Sequence, residues 1–234
     1  IPTTLLAQVD SSLGGKTAVN HGRLKNQIGV FYQPKLVVSD ISTLKTLPVG
    51  EIKNGLAEII KYGTIKDRDL FITLENEMPR LKRIEEGLVE EVVFRCAAIK
   101  AEIVEKDEKD RGLRNILNYG HTIGHAIETV SNFKIKHGKA VAIGMVAEGL
   151  LSQRMDILPY SALTKIKTVI VRAGLPLSIP GLEIHSILKA MEHDKKKAEG
   201  KLKIVLPKSI GEALVSDRIE DQVVERVLKD LYEE

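Results

Sequence analysis

Arg114, Asn118, His121, His125 and Glu128 are the polar side chains whose types and spacing most invite chemistry at one place. Read at 100° per residue, they recur at i, i+4, i+7, i+11 and i+14, so a helix running through them would carry a single polar stripe. Ile123, Ala126, Ile127 and Val130 would form its apolar side. Two imidazoles at i, i+4 can hold one divalent metal ion, as in the H-E-x-x-H motif. Thr122 follows His121, so the general-base glutamate of that motif is absent, and two solvated surface histidines are the plainer reading of the spacing alone. Gly120 and Gly124 each cost about 1 kcal/mol relative to alanine in a helix interior. Close packing of another backbone against that edge would offset the cost.

Other chemistry-bearing residues are scattered along the chain. Glu58 and Lys61 stand three apart on a helical pattern, where an exposed ion pair contributes only a few tenths of a kcal/mol. Lys100 lies at the edge of an apolar stripe, a place from which lysine usually reaches its ammonium to water. His137-Gly138 opens a helix. The positive end of the dipole there lowers an imidazole pKa, which would keep the ring neutral and ready for a metal. Asp194-Lys195-Lys196-Lys197 reads as a solvated turn. Gly14-Gly15-Lys16-Thr17 suggests a phosphate loop, but Asp10 stands where G-x-x-x-x-G-K-[ST] needs its first glycine, so a nucleoside-triphosphate loop is rejected.

The elements that must position these residues divide near position 48. Before it the pattern is mixed. Thr3 to about Ser12 reads as a short threonine-capped helix, broken by Gly14-Gly15. Short strands follow at 17–19, 28–32 and 35–38. From Val49 the chain is mostly helix. Ile52, Leu56, Ile59 and Ile60 define one apolar face, and Leu88, Val92, Cys96, Ile99 and Ile103 another. Asp107 to Arg111 is a charged turn. The stretch from about Lys139 to Arg154 is apolar nearly all round and should be buried. Helices at 159–173, from Ile184 and at 220–232, with a hairpin across Gly211, complete the chain.

Composition bounds the function. A chain of 234 residues holds one large or two smaller domains. A net charge of +3, with Lys+Arg 35 against Asp+Glu 32, argues against a general nucleic-acid surface. No apolar run approaches the ~20 residues that span a membrane, and no secretory leader opens the chain. The single Cys96 cannot form an internal disulfide and reads as a core residue, which fits a reducing cytoplasm.

Taken in order, several motifs resemble the 3-dehydroquinate synthase family of sugar-phosphate cyclases. They are residues 2–12, Gly14-Gly15-Lys16-Thr17-Ala18-Val19-Asn20, Lys25 to Gly29, Phe31 to Pro34 and Leu44 to Pro48. Residues 55–63, Leu117 to Glu128, His137-Gly138 with Ala140 to Met145, and Asp194-Lys195-Lys196 complete the set. The resemblance spans essentially the whole chain. It implies a mainly α chain, with a helical metal- and substrate-binding domain over 49–234. Ahead of it, 1–48 would be the rear part of an α/β Rossmann-like, NAD-binding domain. The family's further N-terminal part, with the glycine-rich pyrophosphate turn, would precede Ile1, so this chain alone is expected to be incomplete for turnover. Gly22-Arg23-Leu24 departs from the proline and glycine usual there.

The resemblance also implies roles. Glu58, His121 and His137 would bind one divalent metal, usually zinc, with cobalt or another ion possible. That set replaces the His121–His125 pair suggested by spacing. Lys16, Asn26, Lys61, Lys100, Arg114, Asn118, His125 and Lys195 would face a sugar-phosphate substrate. Thr3, Thr4, Leu6, Asp10, Ser11, Lys16, Lys25, Thr43, Leu44, Lys45 and Thr46 would touch NAD. The implied reaction turns 3-deoxy-D-arabino-heptulosonate 7-phosphate into 3-dehydroquinate and phosphate, in a homodimer. A deoxy-scyllo-inosose or valiolone cyclase is the neighbouring alternative, and a non-catalytic metal-binding or assembly module the alternative from another class.

Overall fold

The computed structural model describes the backbone of residues 1–21, 24–197 and 202–233, and side chains outside 20–27, 180, 193–201 and 233–234. The side chains of Lys25, Asn26 and Lys195, and the departure at Gly22-Arg23, therefore lie outside what is described.

Near the start of the chain Thr4 Oγ1 accepts from the Ala7 N–H, and a π-helical turn follows at Ala7–Ser11. Gly14 (φ +89°) and Gly15 (φ +69°) then reverse the chain in a conformation that L side chains rarely adopt. They lead into the antiparallel hairpin β1 (Lys16–His21) and β2 (Leu24–Phe31), where Lys16 faces Phe31 and Val19 faces Ile28. The strand expected at 35–38 does not form. Leu36 and Val38 are exposed, and no strand among the described residues pairs with them; an apolar run without a ladder partner does not hold strand geometry. A 3-10 helix, Ile41–Thr46, is capped by the Asp40 carboxylate.

Helices then dominate: α1 (Val49–Ile65), α2 (Arg68–Lys82), α3 (Glu86–Lys106), α4 (His121–Val130), α5 (His137–Arg154), α6 (Tyr160–Arg172), α7 (Ile184–Lys197) and α8 (Asp221–Asp230). Two-residue β3 (Ile179–Pro180) and β6 (Tyr232–Glu233) pair in parallel, and β4 (Ile204–Ser209) and β5 (Glu212–Ser216) form a hairpin across Gly211. The lysine triplet continues α7 rather than forming a turn.

The core is built around α5. As its unbroken apolar sequence requires, it is buried on nearly every side, with α1, α4, α6, α8 and β4 packed against it. Leu5, Val9, Ile41 and Leu44 join the same core from the N-terminal segment. Glycines set the α4–α5 crossing. A Cβ on Gly144 would collide with the Gly120 carbonyl, and one on Gly124 would lie 3.0 Å from the Ala140 carbonyl oxygen. The close backbone approach expected from Gly120 and Gly124 is therefore present. No helix among the described residues is long and apolar enough to cross a membrane.

Candidate metal centre and active site

The stretch 114–128 is not one helix. Leu113–Asn118 is a 3-10 helix, Tyr119 and Gly120 form a turn with Gly120 left-handed (φ +77°), and α4 starts only at His121. Gly120 is outside the regular helix because its φ is left-handed, and Val141 and Met145 of α5 leave no room there for a side chain. Arg114 and Asn118 consequently do not continue the stripe of His121, His125 and Glu128.

Three elements converge nonetheless. His121 and His137 are the first residues of α4 and α5, and Glu58 lies in the middle of α1, fully buried. Glu58 Oε1 stands 3.4 Å from His121 Nε2 and 3.1 Å from His137 Nε2. Ligands about 2.1 Å from one tetrahedral ion stand about 3.4 Å apart, so the spacing suits such an ion. The donor set, two imidazoles and a carboxylate, is also that of a catalytic zinc shell with an open position.

The far side of each ring is fixed as well. His121 Nδ1 donates to the Tyr119 carbonyl at 3.1 Å, which turns Nε2 toward Glu58. His137 Nδ1 lies 3.2 Å from Glu128 Oε2, the carboxylate–histidine arrangement that orients metal ligands. His125 is half-exposed on α4, its ring 5.2 Å from that of His121 and its Nε2 4.0 Å from Glu128 Oε2. His125, Glu128 and His137 thus form a second group of ligand geometry, sharing His137 with the first.

The expectation of a neutral His137 is corrected. Burial pulls its pKa down, but hydrogen bonds to Glu128 and Glu58 raise it to about 9. Two carboxylates a hydrogen bond away outweigh the helix terminus. Below about pH 9 the metal-free ring carries a second proton, which an ion binding at Nε2 must displace. Zinc titration near pH 7.5 should release about one proton per ion, and apparent affinity should rise with pH toward about 9. Calorimetry in buffers of different ionisation enthalpy measures this; no proton release would contradict a doubly protonated His137.

Next to the metal group lies a buried ionic cluster. Lys61 Nζ sits 2.5 Å from Glu58 Oε2 and 2.9 Å from Asp10 Oδ2. Lys100 bonds the Asp10 carboxylate and, at 2.9 Å, the Asp10 carbonyl, and Tyr62 donates to Asp10 Oδ1 at 3.1 Å. Lys100 is 7% exposed, so it turns inward to Asp10 rather than reaching for water. Glu58 and Lys61 are likewise no surface pair, at 0% and 1% exposure. Burial lowers the Lys61 pKa, yet Asp10 and Glu58 together lift it above the usual lysine value. For Lys100 burial prevails, Asp10 opposing it and the Lys61 charge adding to it, so its pKa falls. Burial raises the Glu58 carboxyl, but Lys61, His121 and His137 hold it well below the usual range.

The other candidates take several positions. Arg114 is buried, its guanidinium against Gly14 and its Nη1 donating to the Glu108 carbonyl at 2.9 Å. The turn before it is organised by Asp107, which accepts from the Arg111, Gly112 and Arg114 N–H groups; those bonds hold its carboxyl at about 2. Lys16 is exposed and pairs with Asp110 of the same turn. Asn118 is half-buried. Gln8 Nε2 bonds the Pro2 carbonyl, the Asp40 carbonyl at 2.9 Å and Thr43 Oγ1, which ties the Thr3–Ser11 segment to Thr43–Thr46. Thr3 and Ser11 are exposed, Thr4 and Leu6 half-buried. Leu44 is in the core, so only its backbone is free to meet a ligand, and exposed Lys45 faces Glu86 at 3.6 Å. Sequence reasoning places Glu128 on the polar stripe without a particular role and singles out none of Tyr62, Asn54 or Glu148. Glu148 leaves a signal: an acidic residue in a helix apolar all round.

Against known proteins, the family model described as 3-dehydroquinate synthase C-terminal matches residues 55–197, and that described as 3-dehydroquinate synthase N-terminal matches residues 1–54. A 3-dehydroquinate synthase of Nostoc sp. is 46% identical over 99% of this chain and 65% of its own length. One of Synechococcus sp. is 48% identical over 98% of this chain and 63% of its own length. Among solved structures, 2-epi-5-epi-valiolone synthase from Streptomyces hygroscopicus with NAD+ and Zn2+ bound superposes with a TM-score of 0.91 at 28% identity, covering 98% of this chain and 64% of that one. A 2-deoxy-scyllo-inosose synthase complexed with carbaglucose-6-phosphate, NAD+ and Co2+ gives 0.86 at 27% identity, covering 98% and 66%. The fold is that of the sugar-phosphate cyclases. Within them, the chain belongs to the 3-dehydroquinate synthase family. It spans about 65% of the length of the first of these relatives.

Proposed function

We propose that this chain supplies the metal- and substrate-binding part of a cytoplasmic, homodimeric 3-dehydroquinate synthase, which turns 3-deoxy-D-arabino-heptulosonate 7-phosphate into 3-dehydroquinate and phosphate. Residues 49–234 would be the metal and substrate domain, and residues 1–48 the rear of the NAD-binding domain. The observation that carries this reading is Glu58, one oxygen facing two imidazole Nε2 atoms and the other facing Lys61. The choice among cyclases rests on identity: 46% to a synthase of this name, against 28% and 27% to the valiolone and inosose enzymes.

Glu58, His121 and His137 would hold a divalent ion such as zinc or cobalt, which would supply Lewis acidity at the substrate's hydroxyl and keto oxygens while NAD accepts and returns a hydride. Tyr119 and Glu128 orient the two rings through their Nδ1 atoms. Lys61, Lys100 and Arg114, with Lys16 and Lys195, would hold the substrate's carboxylate and phosphate. Asp10 spaces Lys61 and Lys100 and keeps both buried cations compensated until an anion arrives. The Gln8 tie holds the segments that would face NAD in one place.

Phosphate release by a complete protein containing this chain, from the heptulosonate phosphate and from glucose 6-phosphate, with NAD+ and zinc, tests the reading. Turnover of the first only is expected. Turnover of glucose 6-phosphate only would move the protein to the inosose branch, and metal binding with turnover of neither would favour the non-catalytic module. Residues 1–234 alone are expected to bind metal but to bind NAD+ weakly and not turn over. Hydride transfer needs the nicotinamide fixed within about 3.5 Å of the reacting carbon. Thr3, Asp10 and Thr43 offer contacts to only part of a dinucleotide, and Leu36 at 78% exposure with Val38 at 49% leaves an apolar strip open to association. Tight NAD+ binding with normal turnover by this segment alone would overturn that account.

A further inference from the structure

Both histidines of the metal group start helices that do not cap themselves. The residue before α4 is Gly120 and the residue before α5 is Lys136, and neither makes a side-chain cap. A helix terminus leaves backbone N–H groups without intrahelical partners, and a buried one must find them elsewhere. Here the acceptors come from other helices. The Gly138 N–H, next to His137, donates to Asn54 Oδ1 of α1 at 3.1 Å. The Gly120 N–H, next to His121, donates to Glu148 Oε2 of α5 at 2.7 Å.

The two acceptors close a circuit through the three ligands. Asn54 precedes Glu58 by one helical turn, so α1 presents a metal ligand and the cap for the helix that carries the next one. That helix, α5, presents His137 and, three turns on, Glu148, the cap for the helix that carries the third. Contacts at both caps are too close to shift freely. A Cβ on Gly138 would lie 2.5 Å from Asn54 Cα, and one on Gly120 2.5 Å from Met145 Cγ. Asn54 is itself held by Glu51, which accepts from its Nδ2 at 2.7 Å, while Glu51 also binds Lys136, the residue before His137. Glu148 is fully buried on α5.

We propose that Asn54 and Glu148 are positioning residues of the metal centre, each setting through a long-range helix cap where one imidazole points. This rests on the reading of Glu58, His121 and His137 as metal ligands. The cap needs an acceptor oxygen of the right length, so Glu148→Gln should serve and Glu148→Leu should not. Asn54→Asp should serve once Glu51→Gln replaces the carboxylate it would otherwise face at 2.7 Å, and Asn54→Leu should not.

The test is Co2+ titration of the purified protein, read by the visible d–d bands, with circular dichroism and thermal melting of the metal-free variants alongside. Glu148→Leu and Asn54→Leu should each weaken Co2+ roughly 10- to 100-fold, as loss of an outer-shell partner does, and alter the band pattern, while Glu148→Gln and the double variant Glu51→Gln with Asn54→Asp stay close to the parent. Rescue by the oxygen-bearing variants separates positioning from general packing. If either leucine variant does not fold, its Gln or Asp partner against alanine at the same site makes the comparison. Parental affinity and spectrum in folded Glu148→Leu or Ala and Asn54→Leu or Ala would overturn the proposal. So would equal losses in the oxygen-bearing and apolar variants. Failure of the parent to bind Co2+, or binding untouched by Glu58→Ala, would instead overturn the metal reading on which the proposal rests.

Discussion

Glu58→Ala and His137→Ala should each abolish retention of a stoichiometric zinc ion through dialysis, whereas His125→Ala should keep it. Glu58 supplies the one oxygen that both Nε2 atoms face, 3.1 Å from His137 and 3.4 Å from His121. Removing it takes away the only anion of the shell and leaves two imidazoles, and the loss should exceed the roughly 10- to 100-fold that an outer-shell partner is worth. His137 is pinned from both sides, Glu58 at one nitrogen and Glu128 at the other, so no neighbouring ring can take its place. His125 is the competing ligand, because His125, Glu128 and His137 also bring ligand atoms together. Metal content by mass spectrometry separates the two. An ion held by the second group would survive Glu58→Ala and be lost in His125→Ala, and that pattern would sink the assignment.

The site is partly legible in the sequence, and the reasons differ from residue to residue. The helical faces of α1, α3 and α5 follow from apolar periodicity, which is a local property, and the structure keeps them. The glycines at 120 and 124 announce a close crossing correctly, but periodicity reads straight through Gly120, whose left-handed turn ends the preceding element. The polar stripe from Arg114 to Glu128 is therefore a stripe only from His121 onward. Glu58 with Lys61 has the spacing of an ordinary surface pair; burial by distant elements changes its character, and no local pattern reports that. The motifs of the family supply what spacing cannot. His137 reads as neutral from its helix terminus alone, because Glu58, on another helix, and Glu128, across the turn between α4 and α5, come beside it only in the fold and dominate its charge there. The strand at 35–38 fails for a similar reason: strand propensity is realised only beside a partner.

Asp10→Asn should cost about 3 kcal/mol of stability at neutral pH, because a cation left buried without its partner is expensive. Lys61 and Lys100 are 1% and 7% exposed, and both lean on the Asp10 carboxylate, which Tyr62 also bonds. Asparagine keeps the shape and an acceptor oxygen but removes the charge that compensates the two ammoniums. Glu58 still serves Lys61, so the loss should fall mainly on Lys100, whose pKa is already lowered by burial. Replacing Lys100 by methionine in the same chain should then recover much of the stability, since the unpaired charge is gone. The pH dependence follows in sign. Burial raises the Asp10 carboxyl, but Lys61 and Lys100 bring its folded pKa below the usual value, and Glu58 is held lower still relative to its own. Groups whose folded pKa is depressed contribute stability that is complete above their unfolded values, near 4, and lost as pH falls through the folded ones. Parent stability should therefore drop steeply below about pH 4, and Asp10→Asn should flatten that drop while lowering the plateau above it. Urea unfolding midpoints between pH 3 and pH 8 measure both effects, and an Asp10→Asn plateau equal to the parent's would show that the two lysines do not depend on Asp10.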